Sequence, residues 1–424
     1  MRVWIDATSA SSGIHVFGMT MLERVLRSLE RVSRRDLAAP VQTGALVSEV
    51  WVELPPGAPI PQHLPAELAA ALSVSWLNEP GTVGARLAKA LRQAEGEPLL
   101  AVPGDAEIDL RLFDNLLRAR GSIAFLGGEG GGRTALLRCE GQIEGVDEAA
   151  DSLLQVAEGL LASGAAKPFD EGSFEGYIRK LRRVLPPYLF RVLDDESRRR
   201  AERFLFWSNY KGSTDFMTKY VYPPLVWWMV RPLARWRVHP NWVTSASILC
   251  TFAAIPFFAR GQWVTGLVLA YVMSVLDSVD GKLARTTFRF SAVGNVLDHG
   301  LDLIHPPLWY MAWAWSLGGG RSDSTIFAVS LLWTAWYVID RIIAQVFKRR
   351  TGRSIHAMAE LDVRMRTFIS RRNVNLPLFT VALPLGLAVP VFHVLALWQV
   401  GSALFHLQRL VKFWNWRRER LRPA

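Results

Sequence analysis

The chain has 424 residues, half of them hydrophobic, a formal net charge of +11, and two cysteines, Cys139 and Cys250. That length predicts two or three domains, and two cysteines are too few for a disulfide scaffold or a cysteine-built metal site. The basic residues cluster in short loops beside apolar segments, a pattern of membrane topology and not of nucleic-acid binding.

The opening MRVWIDATSASSG lacks a basic stretch followed by an apolar run and a small-residue cleavage site. The first domain is therefore expected to stay in the cytosol. Residues 1–167 alternate short apolar runs (Met1 to Ile5, Pro98 to Val102, Gly121 to Leu126) with helical patterns (Met19 to Val32, Asp109 to Arg118). This predicts an α/β domain built on a mostly parallel sheet. Val16 to Leu29 and Leu99 to Asp105 resemble the first helix and the Gly-Asp segment of sugar-phosphate nucleotidyltransferases. Members of that family open with a Gly-rich loop, an Arg and a following Pro-Lys that neutralise a triphosphate, whereas Ile5 to Gly13 reads IDATSASSG. With no Arg or Lys there, the expectation is a nucleotidyltransferase-like domain without activity. Asp105 is either a metal ligand or a turn residue, and the Gly-rich run Gly127 to Arg133 either cradles phosphate or is a plain loop.

Residues 168–214 are charged, with Arg198, Arg199 and Arg200 in a row, and read as a helical connecting arm. The remainder, 215–424, reads as a membrane domain, and fourteen of the seventeen tryptophans lie after residue 200. Tyr220 to Trp236 is apolar but interrupted by Pro223, Pro224 and Pro232, as in an interfacial helix. Apolar stretches near 242–259, 262–284, 292–317, 325–347, 374–392 and 393–413 predict an all-α bundle of six transmembrane helices. Lys348 to Arg372 holds eight Lys or Arg against two acids, so that loop is expected to be cytoplasmic. Six spans then put both termini on the same side of the cell inner membrane, together with the ends of the second and third spans.

Those two spans hold four aspartates. Acids in a membrane are costly and mark a functional site by default. Asp277 and Asp280 are three apart and share a helix face, and Gly294, Asp298 and Asp302 follow at steps of four on the next helix. Like charges brought that close need cations. Oxygen ligands select Mg2+ or Mn2+ over zinc, and a pair of ions suits phosphoryl chemistry. On spacing alone, an intramembrane cation transporter stays open.

Written out, the stretch is Asp277-x2-Asp280-Gly281-x2-Ala284-Arg285-x8-Gly294-x3-Asp298-x3-Asp302. It resembles the signature of the CDP-alcohol phosphotransferases at every fixed position. Pro240-Asn241-x2-Thr244 resembles that family's entry to the first span. The resemblance covers roughly residues 215 to 415 and implies transfer of a phosphoalcohol from a CDP-alcohol to an alcohol or phospho-alcohol acceptor, with release of CMP, in phospholipid synthesis. It implies that Asp277, Asp280, Asp298 and Asp302 hold two Mg2+ or Mn2+ ions and that Asp302 is the general base. Gly281, Ala284, Arg285, Gly294, Asn241 and Thr244 would line the nucleotide and phosphates, and Arg285 could equally bridge carboxylates. Arg341 would hold an acceptor phosphate or pair with Asp340. His299 and His305, flanking Asp302, would tune the base or bond between helices. Membrane lipids and a second copy in a homodimer are the implied partners. An active cytidylyltransferase fused to such a domain is known in the family, which leaves open a bifunctional enzyme that makes its own CDP-alcohol.

Overall fold

The computed structural model describes residues 1–37, 47–61, 64–141, 143–178, 181–290 and 292–414, without the side chains of residues 34–37, 173 and 292–302. The chain divides into two compact units, the first comprising residues 1–176 and 185–208 and the second residues 177–184 and 209–424.

The first unit is a seven-stranded mixed sheet: β1 (Arg2–Asp6), β2 (Glu49–Glu53), β3 (Val74–Leu77), β4 (Leu99–Pro103), β5 (Ile123–Gly127), β6 (Thr134–Cys139) and β7 (Lys167–Pro168). The order is β7-β5-β6-β4-β1-β2-β3, and β6 runs antiparallel to both neighbours. The two strands at the centre, β1 and β4, are buried on both faces, hence the continuous apolar runs Val3-Trp4-Ile5 and Leu99 to Val102. Helices α1 (Met21–Leu37), α2 (Val83–Gln93), α3 (Leu110–Arg118), α4 (Leu153–Ala162) and α5 (Asp195–Ser208) complete the unit. Thr82, Asp109 and Ser152 cap α2, α3 and α4, each accepting from a first-turn amide. The Gly-rich run after β5 is the connection between antiparallel β5 and β6, with one turn of 3-10 helix at Gly130–Gly132.

Between residues 168 and 194 the expected helical arm is replaced by short strands. Leu189–Arg191 pairs antiparallel with Ala106–Ile108 in the first unit, and Tyr177–Ile178 pairs with Arg183–Val184 in the second. The α-helical part of the expected arm is α5, where Arg199 and Arg200 are exposed and pair with Asp195 and Glu196 at i,i+4, while Arg198 is half-buried and pairs with Asp195 and Glu202.

The second unit is helical: α6 (Tyr222–Arg235), α7 (Pro240–Ala259), α8 (Trp263–Thr286), α9 (Ala292–Leu317), α10 (Thr325–Thr351), α11 (Glu360–Arg366), α12 (Arg372–Ala382) and α13 (Ala388–Lys412). Helix α6 buries Tyr222, Val226, Val230 and Ala234 at steps of four and exposes Leu225 and Trp228, as a surface-lying helix must. Among the described residues, α7, α8, α10 and α13 are long and apolar enough to cross a membrane, which marks this unit as a membrane domain. Helix α9 runs for 26 residues. The fifth expected span is cut short: α12 has 11 residues, and the break falls at residues 383–387 instead of 392/393. Gly386 there has a φ of +70°, which glycine adopts without strain, and Pro390 sits in the first turn of α13, where a missing amide costs little. Stacked rings hold the helices together, Trp313 on Phe379 at 4.2 Å and Tyr310 on Trp333 at 3.9 Å.

Candidate active site

In the first unit, the chain order reverses at β1, which makes the carboxyl ends of β1 and β4 the place where an open α/β sheet takes a ligand. Here the two strand ends close on each other. The Gly104 amide donates to the Asp6 carbonyl at 2.7 Å, and a Cβ on Gly104 would lie 2.9 Å from that oxygen. Asp105 is buried and fully engaged by side chains of its own unit. Ser11 Oγ donates to it at 2.6 Å, and Arg191 contacts it through Nε at 3.1 Å and Nη2 at 2.6 Å. Arg191 and Ser11 together engage both oxygens of Asp105 and no second carboxylate joins it there among the described residues, so this strand end lacks the acidic set that a divalent cation needs.

In the second unit, Asp277 and Asp280 project from successive turns of α8. The Thr244 hydroxyl on α7 donates to Asp280 Oδ2 at 2.7 Å, which fixes that carboxylate's orientation. Thr244 is placed by the start of α7, where Pro240 takes the first helical position and His239 Nδ1 accepts from the Asn241 amide. Asp277 Oδ2 accepts from Arg372 Nη2 at 2.8 Å, and Arg372 Nη1 lies 2.9 Å from His305 Nε2. Gly281 is the surface on which Arg285 rests: a Cβ there would come within 3.3 Å of Arg285 Nη1. Lys282, in the same motif, is buried with its ammonium 3.0 Å from the centre of the Tyr210 ring, a cation–π contact.

Gly294, Asp298, His299 and Asp302 belong to α9, and their side chains lie outside the described residues. Among the described residues no three His, Cys, Asp or Glu side chains come together. Asp277 and Asp280 therefore stand as two of the four expected carboxylates. They are hard oxygen donors one turn apart, a set suited to Mg2+ or Mn2+.

Arg341 pairs with Asp340, Nη2 to Oδ2 at 2.9 Å, and Asp340 is also bonded by His406 Nδ1. Next to it, Arg371 Nη2 lies 2.9 Å from His356 Nε2, and the His356 and His406 rings are 4.8 Å apart. Arg372, Arg371, His356 and His406 were not legible as site residues. The two arginines read as loop charge, and the histidines are isolated in sequence. Asp215, buried and bonded by Thr218 and Asn373, was missed for the same reason.

Residues 237–407 match the CDP-alcohol phosphatidyltransferase family. The chain is 38% identical over 78 residues to the archaetidylinositol phosphate synthase of Aeropyrum pernix, covering 18% of this chain and 40% of that protein. It is 37% identical over 73 residues to the same-named protein of Pyrococcus horikoshii, covering 17% and 38%, and 32% identical over 80 residues to that of Methanothermobacter thermautotrophicus, covering 19% and 41%. The matches thus span about two fifths of the relatives' own length.

Proposed function

Residues 237–407 belong to the CDP-alcohol phosphatidyltransferase family, and from that premise we propose that the chain transfers a phosphoalcohol from a CDP-alcohol to a hydroxyl acceptor, releasing CMP. The observation that carries this reading is the motif on α8, where Asp277, Asp280, Gly281 and Arg285 occupy consecutive turns and Thr244 orients Asp280. In the reaction, the acceptor oxygen attacks the phosphorus that bears the donor alcohol. The bond from that phosphorus to the CMP oxygen breaks, and the hydroxyl proton passes to the Asp302 carboxylate. Divalent ions held by Asp277, Asp280, Asp298 and Asp302 would neutralise the pyrophosphate and stabilise CMP as it leaves. Gly281 lets the Arg285 guanidinium lie close against α8, where it would meet a donor phosphate, and Ala284, Gly294 and Asn241 line the same nucleotide site.

The relatives are named as synthases of archaetidylinositol phosphate, and we extend to this chain a phosphorylated polyol as acceptor, with Arg341 among its ligands. The basic segment Lys348 to Arg372 supports a site that opens to the cytosol. Four apolar helices, α9 and the stretch 372–387 would make six crossings. For the first unit we propose a domain without nucleotidyl transfer, because Arg191 and Ser11 occupy Asp105. Pyrophosphate release from CTP by the full chain would count against that. A cation transporter gives no role to Arg285 or Arg372 beside the carboxylates.

The direct test is CMP release by the purified full chain in lipid vesicles. It should require Mg2+ or Mn2+ and stop on chelation; full-rate release in chelator would refute metal assistance. Thr244→Val removes the hydroxyl that orients Asp280. Loss of such a ligand-orienting bond should raise the Mg2+ concentration for half-maximal rate by about 10–100-fold. An unchanged metal titration would mean that Thr244 serves packing alone.

A further inference from the structure

The strands Tyr177–Ile178 and Arg183–Val184 form a small hairpin that is not part of the family-matched region, yet it packs within the membrane unit. Leu181 and Arg182, which lead into its second strand, pack against Gly212. The Gly212 amide donates to the Leu181 carbonyl at 2.8 Å, and a Cβ on Gly212 would meet the Arg182 carbonyl at 2.6 Å. Arg182 itself has a φ of +53°, a strained conformation for a side-chain-bearing residue and one that persists where the surroundings impose it. Its guanidinium donates to the Ser213 carbonyl at 3.3 Å, and Ser213 Oγ donates to the His356 carbonyl at 2.9 Å. These bonds tie Arg182 through Ser213 to His356, whose ring meets the Arg371 guanidinium at 2.9 Å.

Among the described residues, the carboxylate that meets this group of Arg182, Arg341 and Arg371 is Asp340, already shared by Arg341 and His406. Burial first, and then the charges of Arg371, His406, Arg182 and Arg341, push the proton affinity of His356 well down; burial first, then Arg341, lowers that of Arg371 against the opposing pull of Asp340. Nε of Arg341 and Nε of Arg371, both donors, have no hydrogen-bond partner among the described residues. Buried donors are normally satisfied. A cluster of donors and positive charge on this scale asks for a phosphate, whose oxygens accept from guanidinium forks.

We propose that Arg182, carried by the hairpin, is a specificity-determining residue that completes a phosphate site with Arg341 and Arg371 and so selects a phosphorylated acceptor over its unphosphorylated counterpart. This rests on the transferase reading only for the word acceptor; the phosphate site is testable without it.

The test measures binding of inorganic phosphate to the full chain in zwitterionic vesicles and, separately, the KM for donor and for polyol phosphates in CMP release. Arg182→Gln should weaken phosphate binding and raise the acceptor KM by about tenfold or more, leaving the donor KM unchanged. Arg182→Gly relieves the positive φ while deleting the guanidinium, so it should melt no earlier than the parent yet show the same loss. Unchanged phosphate affinity in either variant overturns the proposal, as does an equal loss in the exposed control Arg349→Gln. Displacement of phosphate by anionic lipid added to the vesicles would assign the site to a lipid headgroup and overturn it too. Phosphate binding that depends on Arg182 in a chain releasing no CMP from any CDP-alcohol would uphold the site and sink the transferase reading.

Discussion

Asp302→Asn should lower CMP release at saturating Mg2+ by about a thousandfold or more if, as we propose, it removes a general base, worth about 10²–10⁴ in rate, and weakens a metal ligand in the same step. The paired variant Asp298→Asn separates the two roles. Asparagine at 298 retains one neutral oxygen toward the ion, so excess Mn2+ should recover part of its rate. The same excess should do nothing for Asp302→Asn, where the missing function is acceptance of the hydroxyl proton. Both variants should retain the parent's melting temperature within a few degrees, since fewer clustered carboxylates mean less mutual repulsion. A rate for Asp302→Asn within tenfold of the parent would remove Asp302 from the proton transfer and leave it as a metal ligand at most.

The four aspartates could be singled out because their spacing is local: i,i+3 and i,i+4 on a helix bring side chains to one face without knowledge of the fold; of these the structure describes the side chains of Asp277 and Asp280. The bond from Thr244 to Asp280 lies outside that signal, but Thr244 itself was legible as a nucleotide-lining candidate through the resemblance of Pro240-Asn241-x2-Thr244 to the family's entry to the first span. Arg372 was not. Its contact with Asp277 joins residues 95 apart in sequence, and in a row of eight basic residues nothing marks the one that turns inward. Topology explains the row's existence and hides that member. The segment 168–194 failed differently. Strands of two or three residues carry no readable alternation, so the charged composition dominated and suggested a helix. Their pairing partners, such as Ala106–Ile108 for Leu189–Arg191, are supplied from far along the chain. In the first unit the sheet was legible because buried parallel strands are uninterrupted apolar runs. The occupation of Asp105 by Arg191, 86 residues away, was not.

Glu107→Ala should destabilise the first unit by about 3–5 kcal/mol, through the charge it leaves behind more than through the contact it removes. Arg24, on α1, and Glu107, beside β4, form a two-pronged pair with Nε to Oε2 at 2.7 Å and Nη2 to Oε1 at 3.0 Å. Their side chains are 3% and 4% exposed. Truncating the acid takes the paired carboxylate from a guanidinium that is buried away from water. Removing both, as Arg24→Met with Glu107→Leu, should recover most of the loss, because well-packed apolar residues avoid the desolvation that the pair has to offset. Hydrogen exchange read by mass spectrometry on the full chain isolates this unit. Amides of Arg2–Asp6 and Leu99–Pro103 should lose about two to three and a half orders of magnitude of protection in Glu107→Ala, while those of α7 and α8 keep theirs. If the single variant exchanged like the parent, the pair would be neutral to stability. If the double variant were as unstable as the single one, its cost would lie in packing around α1 and not in a stranded charge.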